Sequence, residues 1–214
     1  MKIFAQAYDY ALAHQAELIG ALGRHLLLVA IALGIGIAVC VPLGVVTSRS
    51  PAAAATIINV VNALRVIPSL AILFLALPYF GLTVQSAAIA LTILALPPIL
   101  INTDTAFRTI SPAIREAALG MGMSPGQVLR RVEVPLALPV IVAGVRTAMV
   151  EVIASATLAA FIGGGGLGIY ITRGFALFRN EILLVGAIPV ALLALLAEVG
   201  MGVLQRVVQP PQAR

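Results

Sequence analysis

The sequence predicts an all-α polytopic membrane protein, and three observations carry that prediction. Hydrophobic residues make up 61% of the 214 positions and charged residues 10%, whereas a soluble domain is about half apolar and a quarter charged. Mean hydropathy is +1.11. The apolar residues gather into about five runs long enough to cross a bilayer, with most of the charge in the short segments between them. A transmembrane barrel is the other closed solution to backbone hydrogen bonding in lipid, and its alternating segments of roughly ten residues are absent.

Residues 1–22 set Ile3, Ala7, Tyr10, Ala11 and Leu18 among polar positions, a weak helical period. This segment reads as an interfacial helix lying on the bilayer. With Lys2, Asp9, His14 and Glu17 it lacks the apolar core of a cleavable signal. A single membrane domain is expected over 23–208. Its first span runs from about His25 to Thr47, with Gly34, Gly36 and Gly44 for close helix approach and a kink at Pro42. Ser48-Arg49-Ser50-Pro51 makes a turn. As one straight helix, Ala52 to Tyr79 would be about 42 Å long against a hydrocarbon core near 30 Å. Pro68 and Ser69 sit inside it. Either one kinked, tilted helix spans there or two half-length helices meet at Pro68; the kinked span is the preferred expectation.

The third span is expected over about Gln85 to Asn102, interrupted at Pro97-Pro98, and the fourth over about Leu136 to Phe161. The glycine run at 163–168 stops the fourth and supplies a hinge of Gly163, Gly164, Gly165, Gly166 and Gly168. Residues 169–181 read as a loop with Arg173, Arg179 and Glu181. The last span covers about Ile182 to Val207, followed by a polar, proline-broken tail at 209–214.

Between the third and fourth spans lies the longest interval without a membrane-grade run, the loop 103–135. Arg108, Arg115, Arg130 and Arg131 lie in it. Ser111-Pro112 and Ser124-Pro125 each place a capping side chain before a proline suited to the first helical position. Gly120 and Gly122 permit a sharp turn between them. Two short helices joined by a glycine corner are therefore expected outside the bilayer. As the largest basic cluster, this loop belongs on the cytoplasmic side. With five spans the N-terminus is then outside, and the C-terminus, with Arg206 and Arg214, inside. Arg173 and Arg179 weaken that bias without reversing it.

The same stretch, REAALGMGMSPGQVLRRVEVP, resembles the signature loop of bacterial ATP-driven importers: Glu-Ala-Ala, three residues, Gly, nine residues, an aliphatic, one residue, Leu-Pro. Glu116, Ala117 and Ala118 supply the triplet, Gly122 the glycine and Val132 the aliphatic; Val134-Pro135 closes it with valine in place of leucine. IPSLA (67–71), GMGMSP (120–125) and ATLAAFIGGGGLG (156–168) look like the osmoprotectant branch of that family, whose permeases serve glycine betaine, choline or carnitine uptake. The resemblance covers roughly residues 20 to 205. It implies a type I importer permease fold, similar to the methionine importer, with a cytoplasmic coupling helix. Arg115, Glu116, Ala117, Ala118, Gly120, Gly122, Met123, Ser124 and Pro125 would grip a separate ATPase. The implied partners are that ATP-binding subunit, a periplasmic or lipid-anchored solute-binding protein, a second permease chain (identical or related) and membrane lipid. ATP and Mg would be bound by the partner ATPase, with no cofactor in this chain. The implied location is the bacterial inner membrane, and the mechanism alternating access.

Charge inside a bilayer costs at least a few kcal/mol, about 2.5–3.5 on insertion scales. Arg65, Arg146, Glu151 and Glu198 all fall in apolar runs. With Pro68, Ser69 and Ser155 they form the candidate translocation path or intramembrane charge network. Gly144, Ala148, Glu151, Ser155 and Ala159 share one helical face. Arg146 is about 140° around the helix from Glu151, too far for a direct pair. Arg65 is expected to pair with Glu151 or Glu198 across the bundle, or Glu151 faces the path and meets a quaternary ammonium group.

Several functions are excluded on residues alone. The net charge of +5 is not gathered on an aromatic-interleaved surface, so no nucleic-acid partner is expected. His14, His25 and Cys40 lack metal-ligand spacing. There is no Walker A sequence, so no ATP hydrolysis by that route and no enzyme activity is expected. Gly163, Gly165 and Gly168 fit GxGxxG but follow a membrane helix, not a strand. There is no Trp, so an aromatic cage for trimethylammonium is missing; Tyr79 and Tyr170 read as an interfacial belt. Remaining alternatives are another cargo (an amino acid, methionine or phosphonate), an ion-coupled secondary transporter using Glu151 and Glu198, and a membrane scaffold.

Overall fold

A computed structural model describes residues 2–209. Beyond Gln209 the expected tail, with Arg214, lies outside the described residues. The chain forms helices α1 (Lys2–Ala13), α2 (Gln15–Arg49), α3 (Pro51–Val66), α4 (Ser69–Phe80), α5 (Val84–Arg108) and α6 (Pro112–Gly120). Then come α7 (Pro125–Ser155), a 3-10 segment (Leu158–Ile162), α8 (Gly168–Ala176) and α9 (Asn180–Val207).

The centre is α5, packed between α2 and α7. Leu28 and Ala32 of α2, Ala87, Ala90, Leu91 and Ala95 of α5, and Ala148 and Val152 of α7 are fully buried. Lipid provides no hydrophobic drive between helices, so close backbone approach holds them. A Cβ added at Gly44 would lie 2.6 Å from the Thr103 side chain, and one at Gly144 2.6 Å from Asn102. Gly34, expected to share that role, faces open space.

The preferred single kinked span over 52–79 is corrected. α3 and α4 meet at a bend of 100°, so two half-length helices replace one. Pro68 has no N–H to continue α3 and disfavours helical geometry in the residue before it. Ile67 is accordingly extended (φ −76°, ψ 124°). The interruption expected at Pro97-Pro98 does not occur: α5 runs through both, and Pro97, Pro98, Ile99 and Leu100 are buried on a helix packed on both sides.

The other spans are longer than expected. α2 begins at Gln15 rather than near His25, taking up residues 15–22 of the N-terminal segment; α1 packs on α9. The loop 103–135 shrinks, because α5 extends to Arg108 and α7 starts at Pro125. The second short helix expected there is the first turn of a membrane helix. Inside α7, Leu129–Glu133 forms a π-helical turn in which Val134 N–H reaches the Leu129 carbonyl. Pro135 follows, with no N–H for the Arg131 carbonyl, and a register slip absorbs the missing donor. The loop expected at 169–181 is mostly α8.

The bundle has two chemically distinct ends. Arg49, Arg108, Arg115 and Glu133 meet at one. At the other, Gly163 crowds the Leu82 carbonyl and Arg173 reaches Tyr10 and Glu17. α2 ends at the first and α5 starts at the second, so the bent pair α3–α4 connects them. Four long helices and this broken one make five passes.

Candidate functional site

α6 carries Arg115, Glu116, Ala117 and Ala118 on 9 residues. Its start is set by Pro112 at the first helical position, though Ser111 makes no side-chain cap bond. Its end is a Schellman motif: Met123 N–H donates to the Ala118 carbonyl (3.2 Å) and Gly122 N–H to that of Leu119 (2.9 Å). Gly122 takes the left-handed position with φ +86°. Gly120 is the last residue of the helix and has no such role, so the corner rests on Gly122 alone. Ser124 then caps α7 through a reciprocal box with Gln127, at 2.8 and 3.4 Å. Met123 is half-buried and Pro125 exposed.

The faces of α6 differ. Ala118 is buried against its own chain, whereas Glu116 and Ala117 are exposed beside Ile114, Leu119 and Met121. Arg115 turns inward. Its Nε–H donates to Glu133 Oε1 at 2.6 Å, and Arg49, at the foot of α2, donates to Glu133 Oε2. Glu133 is 1% exposed, so both arginines converge on one buried carboxylate. Arg108 adds a second tie, donating to Asp104 (2.8 and 3.0 Å) and to the Thr47 carbonyl (3.1 Å). The feet of α2, α5 and α7 and the helix α6 therefore form one polar cluster.

The intramembrane charges divide into two groups. Arg146 on α7 pairs with Glu198 on α9, and Arg146 also reaches Gln205 at 3.4 Å. The expected pairing of Arg65 with Glu198 is thereby corrected: α9 packs on α7, which brings Arg146 alongside first. Arg65, Pro68, Ser69, Glu151 and Ser155 border one cavity of about 210 Å³ at the α3–α4 break, near the middle of α5. Among the described residues, Arg65 and Glu151 make no ion pair with each other or with any other group.

The glycine run is a packed corner. Gly163, Gly165 and Gly166 have positive φ, and a Cβ at Gly164 would lie 2.6 Å from Ala87. Gly168 approaches the Thr157 carbonyl closely, and Gly166 lies against His25. His25 is fully buried, and its Nε2–H donates to the Ile153 carbonyl (3.1 Å), tying α2 to the end of α7. Tyr79 is exposed, but Tyr170 is fully buried under α1 and α9 with Ala7, Leu167 and Ile182. The belt reading of Tyr170 is corrected, because α8 is a folded helix and not a loop at the surface.

A family model described as the binding-protein-dependent transport system inner membrane component matches residues 18–210. The chain belongs to this family. It is therefore a multi-pass transport subunit of the membrane. It is 43% identical over 187 residues to the choline transport system permease protein OpuBB of Bacillus subtilis, covering 87% of this chain and 86% of that protein. It is 44% identical over 191 residues to the carnitine transport permease protein OpuCB of Listeria monocytogenes, covering 89% and 88%. With the osmoprotectant import permease protein OsmW of Salmonella typhimurium it shares 40% identity over 196 residues, covering 89% and 91%. Its fold is that of a chain from an inward-facing MetNI methionine ABC transporter, with TM-score 0.81 at 23% identity over 92% of this chain and 99% of that one.

Sequence reasoning missed Glu133, Asp104 and His25. Each is a polar residue inside or beside an apolar helix, and that signal alone could have marked all three as needing buried partners.

Proposed function

We propose that this chain is the permease subunit of an ATP-driven importer for a quaternary ammonium osmoprotectant such as glycine betaine, choline or carnitine. The observation that supports the cargo is its likeness, over most of its length, to relatives named for those solutes. Two permease chains, identical or related, enclose the path; a solute-binding protein delivers cargo; a separate ATPase binds ATP and Mg. α6 is the part the ATPase grips. Its exposed Ile114, Leu119 and Met121 form an apolar patch around Glu116 and Ala117 outside the membrane helices, a surface that calls for a protein partner. Arg115 does not contact the ATPase in this reading, because Glu133 holds it; it anchors α6 to the bundle. The end bearing Arg49, Arg108, Arg115 and Arg131 is cytoplasmic and the N-terminus external. Arg65 and Glu151, exposed on the single chain yet near mid-bilayer, face the water-filled path between the two copies. The glycine corner at 163–168 is the pivot at the outer end.

The test is uptake by proteoliposomes holding the permease, its ATPase and its binding protein. Uptake of radiolabelled glycine betaine or choline that requires ATP and the binding protein is expected. Uptake that persists without ATP and collapses with an ionophore contradicts the reading, and uptake of methionine in place of either solute contradicts the cargo.

A further inference from the structure

The cavity at the α3–α4 break holds two opposite charges apart. Arg65 and Glu151 both border it, from different helices, and among the described residues neither makes an ion pair. Near mid-bilayer a charge is tolerated where it faces water or a polar partner, and both side chains are exposed on the single chain and so open to a solute that carries the opposite charges. The remaining walls are also polar in places. Ser69 and Ser155 border the cavity, and Ile67–Pro68 is non-helical backbone, which membranes tolerate only where it is buried in protein or lines a wet cavity. Pro97 and Pro98 deprive the carbonyls of Ile93 and Leu94 of their helical donors, and both residues border the same space. At about 210 Å³ it is smaller than the roughly 300–1,000 Å³ of sites for drug-sized ligands. No aromatic residue borders it.

We propose that this cavity is a low-affinity transit site for a small zwitterion, with the quaternary ammonium group facing Glu151 and the carboxylate facing Arg65 and the first turn of α4. This rests on the cargo reading above and adds to it a preference for solutes carrying both charges. The missing aromatic faces keep affinity low, as a path requires: a solute must enter and also leave.

The experiment compares two probes in the reconstituted complex. Glycine betaine carries both charges; choline has the ammonium group and no carboxylate. In Arg65→Gln, glycine betaine uptake should fall about tenfold or more, the loss expected with one charge-assisted contact. Choline uptake should stay within about twofold. Glu151→Gln should lower both. Arg65→Gln should still assemble with the ATPase subunit at wild-type yield, and Arg65→Lys should keep most glycine betaine uptake, which separates the site from a folding defect. Equal loss of both solutes in Arg65→Gln, or no loss of either, overturns the proposal, as does a wild type that imports choline but not glycine betaine. A wild type that imports neither, tested before any variant, overturns the cargo reading and the transit site with it.

Discussion

Glu133 has both carboxylate oxygens occupied, one by Arg49 on α2 and one by Arg115 on α6, so a substitution there loosens three helices together. Glutamine keeps the shape but removes the charge. Charge-assisted hydrogen bonds contribute about 1.5–3 kcal/mol each, and the partial exposure of both arginines puts the loss at the lower end. Glu133→Gln should lower the melting temperature of the purified complex by a few degrees. It should also reduce the ATPase stimulation produced by loaded binding protein about tenfold. Stimulation at the wild-type level would mean that α6 transmits motion without this clasp. The sequence marks Glu133 as a carboxylate that needs partners but not which ones, because they are 84 and 18 residues away. Spacing shows which residues share a helix face; it is silent on which distant side chain comes alongside. The same limit hid the Arg146–Glu198 pair, although the helical angle rightly separated Arg146 from Glu151.

At the scale of elements, the end of α6 depends on one backbone geometry. Gly122 has φ +86° with open space where a Cβ would go, so any substitution acts through the backbone and not through a clash. A β-branched residue there costs about 1–2 kcal/mol, while asparagine enters the left-handed region readily. Gly122→Val should therefore fray the Schellman end and lower ATP-driven uptake severalfold, with Gly122→Asn near wild type; equal effects of the two would remove the backbone explanation. Helix packing gives a second contrast. Gly44→Val drives into Thr103 and should destabilise the bundle by roughly 1–3 kcal/mol, whereas Gly34→Val should be close to neutral. Chemical denaturation in detergent measures both. The starts at Pro112 and Pro125 could be read from local residues, since a cap and a following proline act locally. The prolines inside apolar runs could not. Pro68 breaks its helix beside a cavity, while Pro97 and Pro98 stay in a helix supported on two sides, and that support is set by tertiary packing.

Across the whole molecule, the number of passes and the two unlike ends were legible from composition and arginine placement, because bilayer thickness fixes span length and charge sorts loops. What composition could not give is how α3 and α4 divide one pass into two. That division places Arg65, Ser69, Glu151 and Ser155 around a single space. In the proposed complex, closure of the ATPases at α6 passes through Glu133 and Arg49 to the feet of α7 and α2, and those helices border or support the cavity. The most direct check is a single cysteine at position 116, made as E116C in a Cys40→Ala background, since Cys40 is the chain's one native cysteine. Residue 116 should cross-link to the ATPase subunit, and in intact cells a membrane-impermeant maleimide should fail to label it. Labelling from outside the cell, or an assembled complex in which 116 never cross-links to the ATPase, would contradict the role given to α6.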